Sequence, residues 1–201
     1  MSTSSDGKRR RSGAAGGAYR APLTVSAPAL LENGGDGRFR KLVYDLITIA
    51  VRLEAVRDLL SRRMGVTGPQ YSILMVVAQA QSAGGVTVTA AADQLHVSGA
   101  FVTAEVGKLV RERLVEKRTN PDDRRSVLLR LTAEGEALVG DVAADIRATN
   151  DRFFGTLGRD DFLTLGRIVD RMVGSSREAL SYLTGIAEGE DRINARRAAG
   201  G

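Results

Sequence analysis

Residues 114–131 hold the one clear hairpin signal in a sequence that otherwise reads as helix. Leu114 to Arg118 and Ser126 to Leu131 are strand-like, and Asn120-Pro121-Asp122-Asp123 lies between them as a turn. A lone hairpin with four helical segments or turns of helix upstream and two long ones downstream makes the chain mainly α. The turn is followed at once by Arg124-Arg125, two cations at a position that needs none for folding.

The helical pattern begins at Phe39. Phe39, Leu42, Val43, Leu46, Ile47, Leu53, Val56 and Leu60 recur at spacings of three and four, with Arg and Asp between them. Met64-Gly65-Val66 ends this helix. Thr67 is an N-cap for the next one, and Pro69 fits a first turn because its missing N–H had no partner there. Ile73, Leu74, Val76 and Val77 supply the buried face, and Gly84-Gly85 breaks the chain. The β-branched run Val86 to Thr89 reads as a brief strand or extended lead-in. Ala90 to Leu95 is a small helix, and His96-Val97-Ser98 a tight turn. Ser98 caps a helix running to about Arg113, striped by Val102, Val106, Leu109 and Val110. After the hairpin, Thr132 caps a long helix through about Phe154. Gly155 to Gly158 is a break, and a last helix runs from Asp160 to about Leu183, with Phe162, Leu165, Val169, Met172, Leu180 and Leu183 on a seam.

Composition removes several chemistries. The chain has no Cys, which excludes disulfides, thiolate metal sites and a catalytic thiol. Its one histidine, His96, excludes a multi-histidine metal site; no metal and no cofactor is implied. Five Phe, four Tyr and no Trp require an aliphatic core. The net charge of +5 favours polyanionic partners. No apolar run approaches the ~20 residues of a spanning helix, and no apolar segment follows Lys8-Arg9-Arg10-Arg11, so a cytoplasmic protein is expected. Phosphate-loop, dinucleotide and nucleophile-elbow motifs are missing, so an enzyme is not expected. The paired acids Asp160-Asp161 are explained by a helix start.

Helix, short turn, helix and hairpin, in that order, form a winged helix-turn-helix. A helix fits the major groove of DNA, and a hairpin beside it can bring an Arg to the minor groove. Residues 67–135 resemble the core of MarR-type transcriptional regulators. The resemblance is carried by Thr67-Gly68-Pro69-Gln70-Tyr71, Leu95-His96-Val97-Ser98, Val102-Thr103, Leu109, Leu114-Val115, Asp123-Arg124-Arg125, Leu131-Thr132 and Gly135. It implies a homodimer on a pseudo-palindromic operator, with half-sites about one DNA turn apart, ~34–36 Å. It also implies a small effector, aromatic or anionic, that releases the DNA. Two positions depart from the family pattern. Ala104 stands where many members carry a basic residue, and Arg113 where many have the Gly that ends the helix.

The expected organisation has five parts: a disordered basic tail over 1–36, a dimerisation helix over 37–66, the winged helix-turn-helix lobe over 67–131, dimerisation helices over 132–187 and a flexible tail over 188–201. The basic cluster of the first tail is either a DNA contact or solvated charge. The expected DNA-contacting residues are Ser98, Gly99, Ala100, Thr103, Lys108 and Arg111 on the helix, with Arg118, Asp123, Arg124 and Arg125 on the wing. Arg124 is expected in the minor groove. Asp123 is expected to pair with the other basic side chain, that of Arg125. Arg130 is a secondary phosphate candidate. Phe101 is expected to be buried rather than set against a thymine methyl. His96 is a turn residue. Tyr44, Arg52 and Tyr71 are candidates for the effector site, as a hydroxyl, a cation and a ring. The expected function is a ligand-responsive repressor acting as a homodimer on double-stranded DNA. The competing reading is a basic winged-helix architectural or partner-binding protein with no effector.

Overall fold

The computed structural model describes residue 19 and residues 21–199, with side chains described through 191. The chain divides into two units, Met1–Asp58 and Leu59–Gly201.

The first unit holds most of helix α1, Gly37–Arg63, and the segment that leads into it. Of the stretch expected as a disordered tail, residues 1–18 and 20 lie outside the described residues, whereas residues 21–36 are built into the unit. A short 3₁₀ turn spans Pro28–Leu30, and Glu32 bridges Gly35. The organising group is Asp36. Its carboxylate accepts from the Thr24 N–H and the Thr24 hydroxyl, both at 2.7 Å, and from Arg40 Nε at 3.0 Å. The Asp36 carbonyl meanwhile accepts from Arg40 N–H and starts the α1 ladder. Arg40 also donates to the Pro22 carbonyl. The Arg40 guanidinium, and then the two Thr24 donors, hold the Asp36 carboxyl far below the usual carboxylate range. Periodicity alone missed this node because Thr24 reaches Asp36 from twelve residues away, although Arg40 stands only four residues on.

The second unit carries the lobe. Helix α2, Gly68–Ala80, opens with a capping box: Gln70 N–H donates to Thr67 Oγ1, and Thr67 N–H donates to Gln70 Oε1. A 3₁₀ turn, Gln81–Ala83, leads to strand β1, Val86–Thr87. The strand is shorter than the β-branched run suggests. Thr87 accepts from Ala90 N–H and so caps helix α3, Val88–Leu95. Cap geometry overrides β propensity for Val88 and Thr89. His96 ends α3 at φ 55°, in the left-handed region.

Helix α4 runs Gly99–Arg111, capped by Ser98. It ends in a Schellman turn, with Leu114 N–H donating to Leu109 carbonyl and Arg113 N–H to Val110 carbonyl. Arg113 takes the left-handed position at φ 61°, where the family's Gly would sit without strain. Strands β2, Val115–Thr119, and β3, Val127–Leu131, form the wing. The sheet has three strands, all antiparallel, in the order β1-β3-β2. Val86 stands opposite Leu129, and Val115 opposite Leu131.

Gly85 is forced by this closure. It adopts φ 116°, and a Cβ there would stand 2.6 Å from the Leu129 carbonyl oxygen. The core is aliphatic, as the composition requires: Ile73, Leu74, Val77, Val102, Val106, Leu109, Val115 and Leu129 are fully buried. Each contributes about 1.5–3 kcal/mol by leaving water. Val142 of helix α5, Ala133–Phe154, joins them. Helix α6 spans Arg159–Ala199, and so continues through the stretch expected as a flexible tail.

Candidate nucleic-acid interface

Helix α4 presents two faces. Val102, Glu105, Val106 and Leu109 point inward, and Gly99, Ala100, Phe101, Thr103, Ala104, Lys108 and Arg111 are exposed. The inward stripe fixes the helix on α2 and α3, so the opposite face is rigidly presented. Its start is set by Ser98, whose Oγ accepts from Phe101 N–H at 3.2 Å. That cap leaves the other first-turn N–H groups directed outward, a favourable place for a phosphate. Thr103 is exposed, and its hydroxyl donates to the Gly99 carbonyl at 2.8 Å.

The cations on α4 are not equivalent. Lys108 Nζ is bound to Glu105 Oε1 at 2.6 Å. Glu105 is only 9% exposed, and its second carboxylate oxygen has no partner among the described residues. Sequence reasoning passed over Glu105; its place on the inward stripe, three residues from Val102 and from Lys108, is the signal that would have found it. Arg111 is exposed and makes no ion pair among the described residues.

The wing sorts its charges in the same way. Arg118 is paired with Glu116 at 2.6 Å, because alternate residues of a strand share one face. Arg130 donates to the Gly84 carbonyl and braces the start of β1. At the tip, Asn120 Oδ1 accepts from Asp122 N–H, and Asn120 Nδ2 donates to Ser126 Oγ. Asp123 Oδ1 accepts from the backbone N–H of Arg125 at 3.0 Å. The expected ion pair between Asp123 and the Arg125 guanidinium is therefore not formed; the carboxylate shapes the turn through the main chain instead. Arg124 and Arg125 are both exposed and have no ion pair among the described residues. On α4, its C-terminal turn and the wing, Arg111, Arg113, Lys117, Arg124 and Arg125 are exposed and make no ion pair among the described residues.

Phe101 also departs from expectation. It is 41% exposed. One residue from Val102 on a helix, it is turned about 100° off the buried stripe. His96 is a turn residue as expected, and its Nδ1 lies 3.0 Å from an Arg177 nitrogen on α6.

Of the three effector candidates, Tyr44 and Arg52 lie in the first unit and Tyr71 in the second. Tyr44 is exposed on α1 and lines a cavity of about 310 Å³ with Thr24, Phe39, Arg40 and Val43. Neither Arg52 nor Tyr71 lines that cavity. Arg52 is exposed. Tyr71 is half-buried against the lobe core, and burial pushes its phenol up from the ordinary value.

Residues 64–126 match the sequence model of the MarR family. The chain is 28% identical over 110 residues to the HTH-type transcriptional repressor MdtR of Bacillus subtilis, covering 55% of this chain and 69% of that protein. Its fold is similar to that of Staphylococcus aureus MepR in a DNA complex, with a TM-score of 0.57 at 20% identity over 66% of this chain and 94% of that one. It is equally similar to CouR of Rhodococcus jostii RHA1 bound to p-coumaroyl-CoA, with a TM-score of 0.57 at 21% identity over 66% and 90% of the two chains. Among the described residues no helix is long and apolar enough to cross a membrane. The winged lobe and these matches make residues 64–126 a MarR-family domain with the winged helix-turn-helix fold.

Proposed function

We propose that this chain acts as a homodimeric repressor that reads a pseudo-palindromic operator with α4 and the wing, and leaves it when a small aromatic or anionic effector binds. The observation that carries the reading is the sorting of charge on the lobe. Lys108, Arg118 and Arg130 have intramolecular partners, whereas Arg111 on α4 and Arg124 and Arg125 at the wing tip are exposed without an ion pair among the described residues. Unpaired cations beside a presented helix suit a phosphate backbone, with Arg124 directed to the minor groove. Ser98, Gly99, Ala100 and Thr103 then meet the major groove.

Dimerisation is supported by apolar surface. Phe162, Leu165, Val169, Met172, Leu183 and Ile186 of α6 are exposed at heptad-like spacing. The effector is supported by the cavity beside Tyr44 and by the ligand of CouR, an aromatic acyl thioester. Arg52 and Tyr71 remain proposed contacts.

Titration of DNA from the gene's own promoter against scrambled DNA, at one salt concentration, tests the reading. Tighter binding to the promoter is expected, falling roughly 10³–10⁵-fold between 50 and 200 mM salt if about 6–10 phosphates are contacted. Equal affinity for the two would favour the architectural reading instead. Arg124→Ala should weaken promoter binding about tenfold without moving the Tm, because the tip is fixed by Asn120, Asp123 and Ser126 rather than by that side chain.

A further inference from the structure

The outward face of α4 has an unusual chemical make-up for a helix that reads bases. Beyond the Ser98 cap, its exposed residues through the second turn are Gly99, Ala100, Phe101, Thr103 and Ala104. Thr103 is the one polar side chain among them, and its hydroxyl proton is committed to the Gly99 carbonyl. It offers outward a methyl group and a lone pair. Reading guanine or adenine through paired hydrogen bonds requires Arg, Lys, Asn or Gln. This stretch has none of them, and the first cation downstream, Lys108, is tied to Glu105.

Phe101 is the large side chain on that face, with its ring 41% exposed beside a core that is otherwise aliphatic and closed. Its backbone is pinned at the third position of the helix by the Ser98 cap. The first turn of a recognition helix is the part that meets base edges. An exposed phenyl ring gains free energy by covering another apolar group. The major-groove floor offers one such group, the C5-methyl of thymine.

We propose that Phe101 is a specificity-determining residue that covers a thymine methyl in each half-site, with Ala100, Ala104 and the Thr103 methyl completing an apolar reading face. This rests on the DNA-binding reading above. It makes the half-site core A·T-containing at the position under α4 and reserves hydrogen-bonded recognition for Arg111 and the wing.

The experiment uses the full chain. Its preferred duplex is selected from a random-sequence pool and then resynthesised with deoxyuridine replacing each thymine in turn, which deletes only the methyl. At one position per half-site the wild type should bind about fourfold more weakly, the worth of one buried methyl group. Phe101→Ala should weaken binding to the thymine duplex and bind the two duplexes equally, with the Tm unchanged because the ring lies outside the core. Phe101→Leu, still apolar, should keep part of the preference. Wild-type indifference to every deoxyuridine overturns the proposal, as does a Phe101→Ala variant that retains the fourfold preference. A Phe101→Ala variant that sediments as a monomer while the wild type is a dimer assigns the ring to contact between copies and overturns it as well. Failure to enrich any sequence overturns the DNA reading itself, and with it this one. An enriched sequence without methyl dependence overturns only the role of Phe101.

Discussion

Helices α2 and α6 use similar residues to opposite ends. Of the thirteen residues of α2, five are buried, and four of those are Ile73, Leu74, Val76 and Val77. Helix α6 spans 41 residues, and none of those described is buried, although Phe162, Leu165, Val169 and Met172 repeat along it. The lobe satisfies its apolar faces internally, against α3, α4 and the sheet. The apolar seam of α6 is left uncovered. Such a surface on a single chain marks an interaction site. On the proposed function, the lobe is the reading head and α6 the surface that takes a second copy.

The largest effect is expected where the seam is charged. Leu165→Glu combined with Met172→Glu should convert a dimer to a monomer in sedimentation, because burying unpaired carboxylates costs several kcal/mol. Promoter affinity should then fall by about 100-fold or more, since one half-site is lost and 1.4 kcal/mol is a factor of ten. An unchanged sedimentation coefficient would remove α6 from the interface.

The lobe should fail in a different way. At Gly135 an added Cβ would stand 2.1 Å from the Leu114 carbonyl oxygen, where α5 crosses the end of α4. Gly135→Ala should cost about 3 kcal/mol, read as a lower urea midpoint at unchanged slope. A smaller loss would mean that the crossing is pliable. On α6, an added Cβ at Gly174 meets nothing within 4 Å. Gly174→Ala should stabilise by about 0.5–1 kcal/mol through helix propensity alone.

The node at Asp36 should respond locally. Its carboxyl is held low in the folded protein, so its contribution is complete above the unfolded value near 3.9 and is lost as pH falls through the folded one. Asp36→Asn at neutral pH should speed amide exchange over residues 24–36 while the lobe core stays protected. Unchanged exchange would show that the 3₁₀ turn and bridge hold the segment without it. The smallest effect is expected at Arg113→Gly. Relief of a left-handed residue, worth ~1–2 kcal/mol, is largely offset by the greater unfolded freedom of glycine, for a net gain under about 1 kcal/mol by chemical denaturation.

The local elements were legible because their signals are local. Thr67, Ser98 and Thr132 each accept a backbone N–H three residues on, a spacing visible in the sequence, whereas the cap at Thr87 lay hidden in a β-branched run. The hairpin was visible in its turn residues and the core in its stripes. Of the candidate interface, the helix and the wing tip were legible as positions, but the state of each charge was not. Helix α6 runs on to Ala199, past the end read from the seam, since alanine and charged residues sustain a helix as readily as they populate a tail.

Sequence by itself determined the order of elements, the aliphatic core, the capped start of α4 and the placing of two arginines at the wing tip. Tertiary structure decided which cations are available. Glu105 takes Lys108, Glu116 takes Arg118 and the Gly84 carbonyl takes Arg130, while Arg111, Arg113, Lys117, Arg124 and Arg125 are exposed without an ion pair among the described residues. It also decided that Asp123 shapes the tip through the Arg125 backbone, and that Phe101 lies outside the core. The physical reason differs from pair to pair. Arg130 meets a carbonyl 46 residues away, which only the closed sheet supplies, whereas Lys108 and Arg118 meet near neighbours in sequence, where rotamer and shared face decide which pair forms.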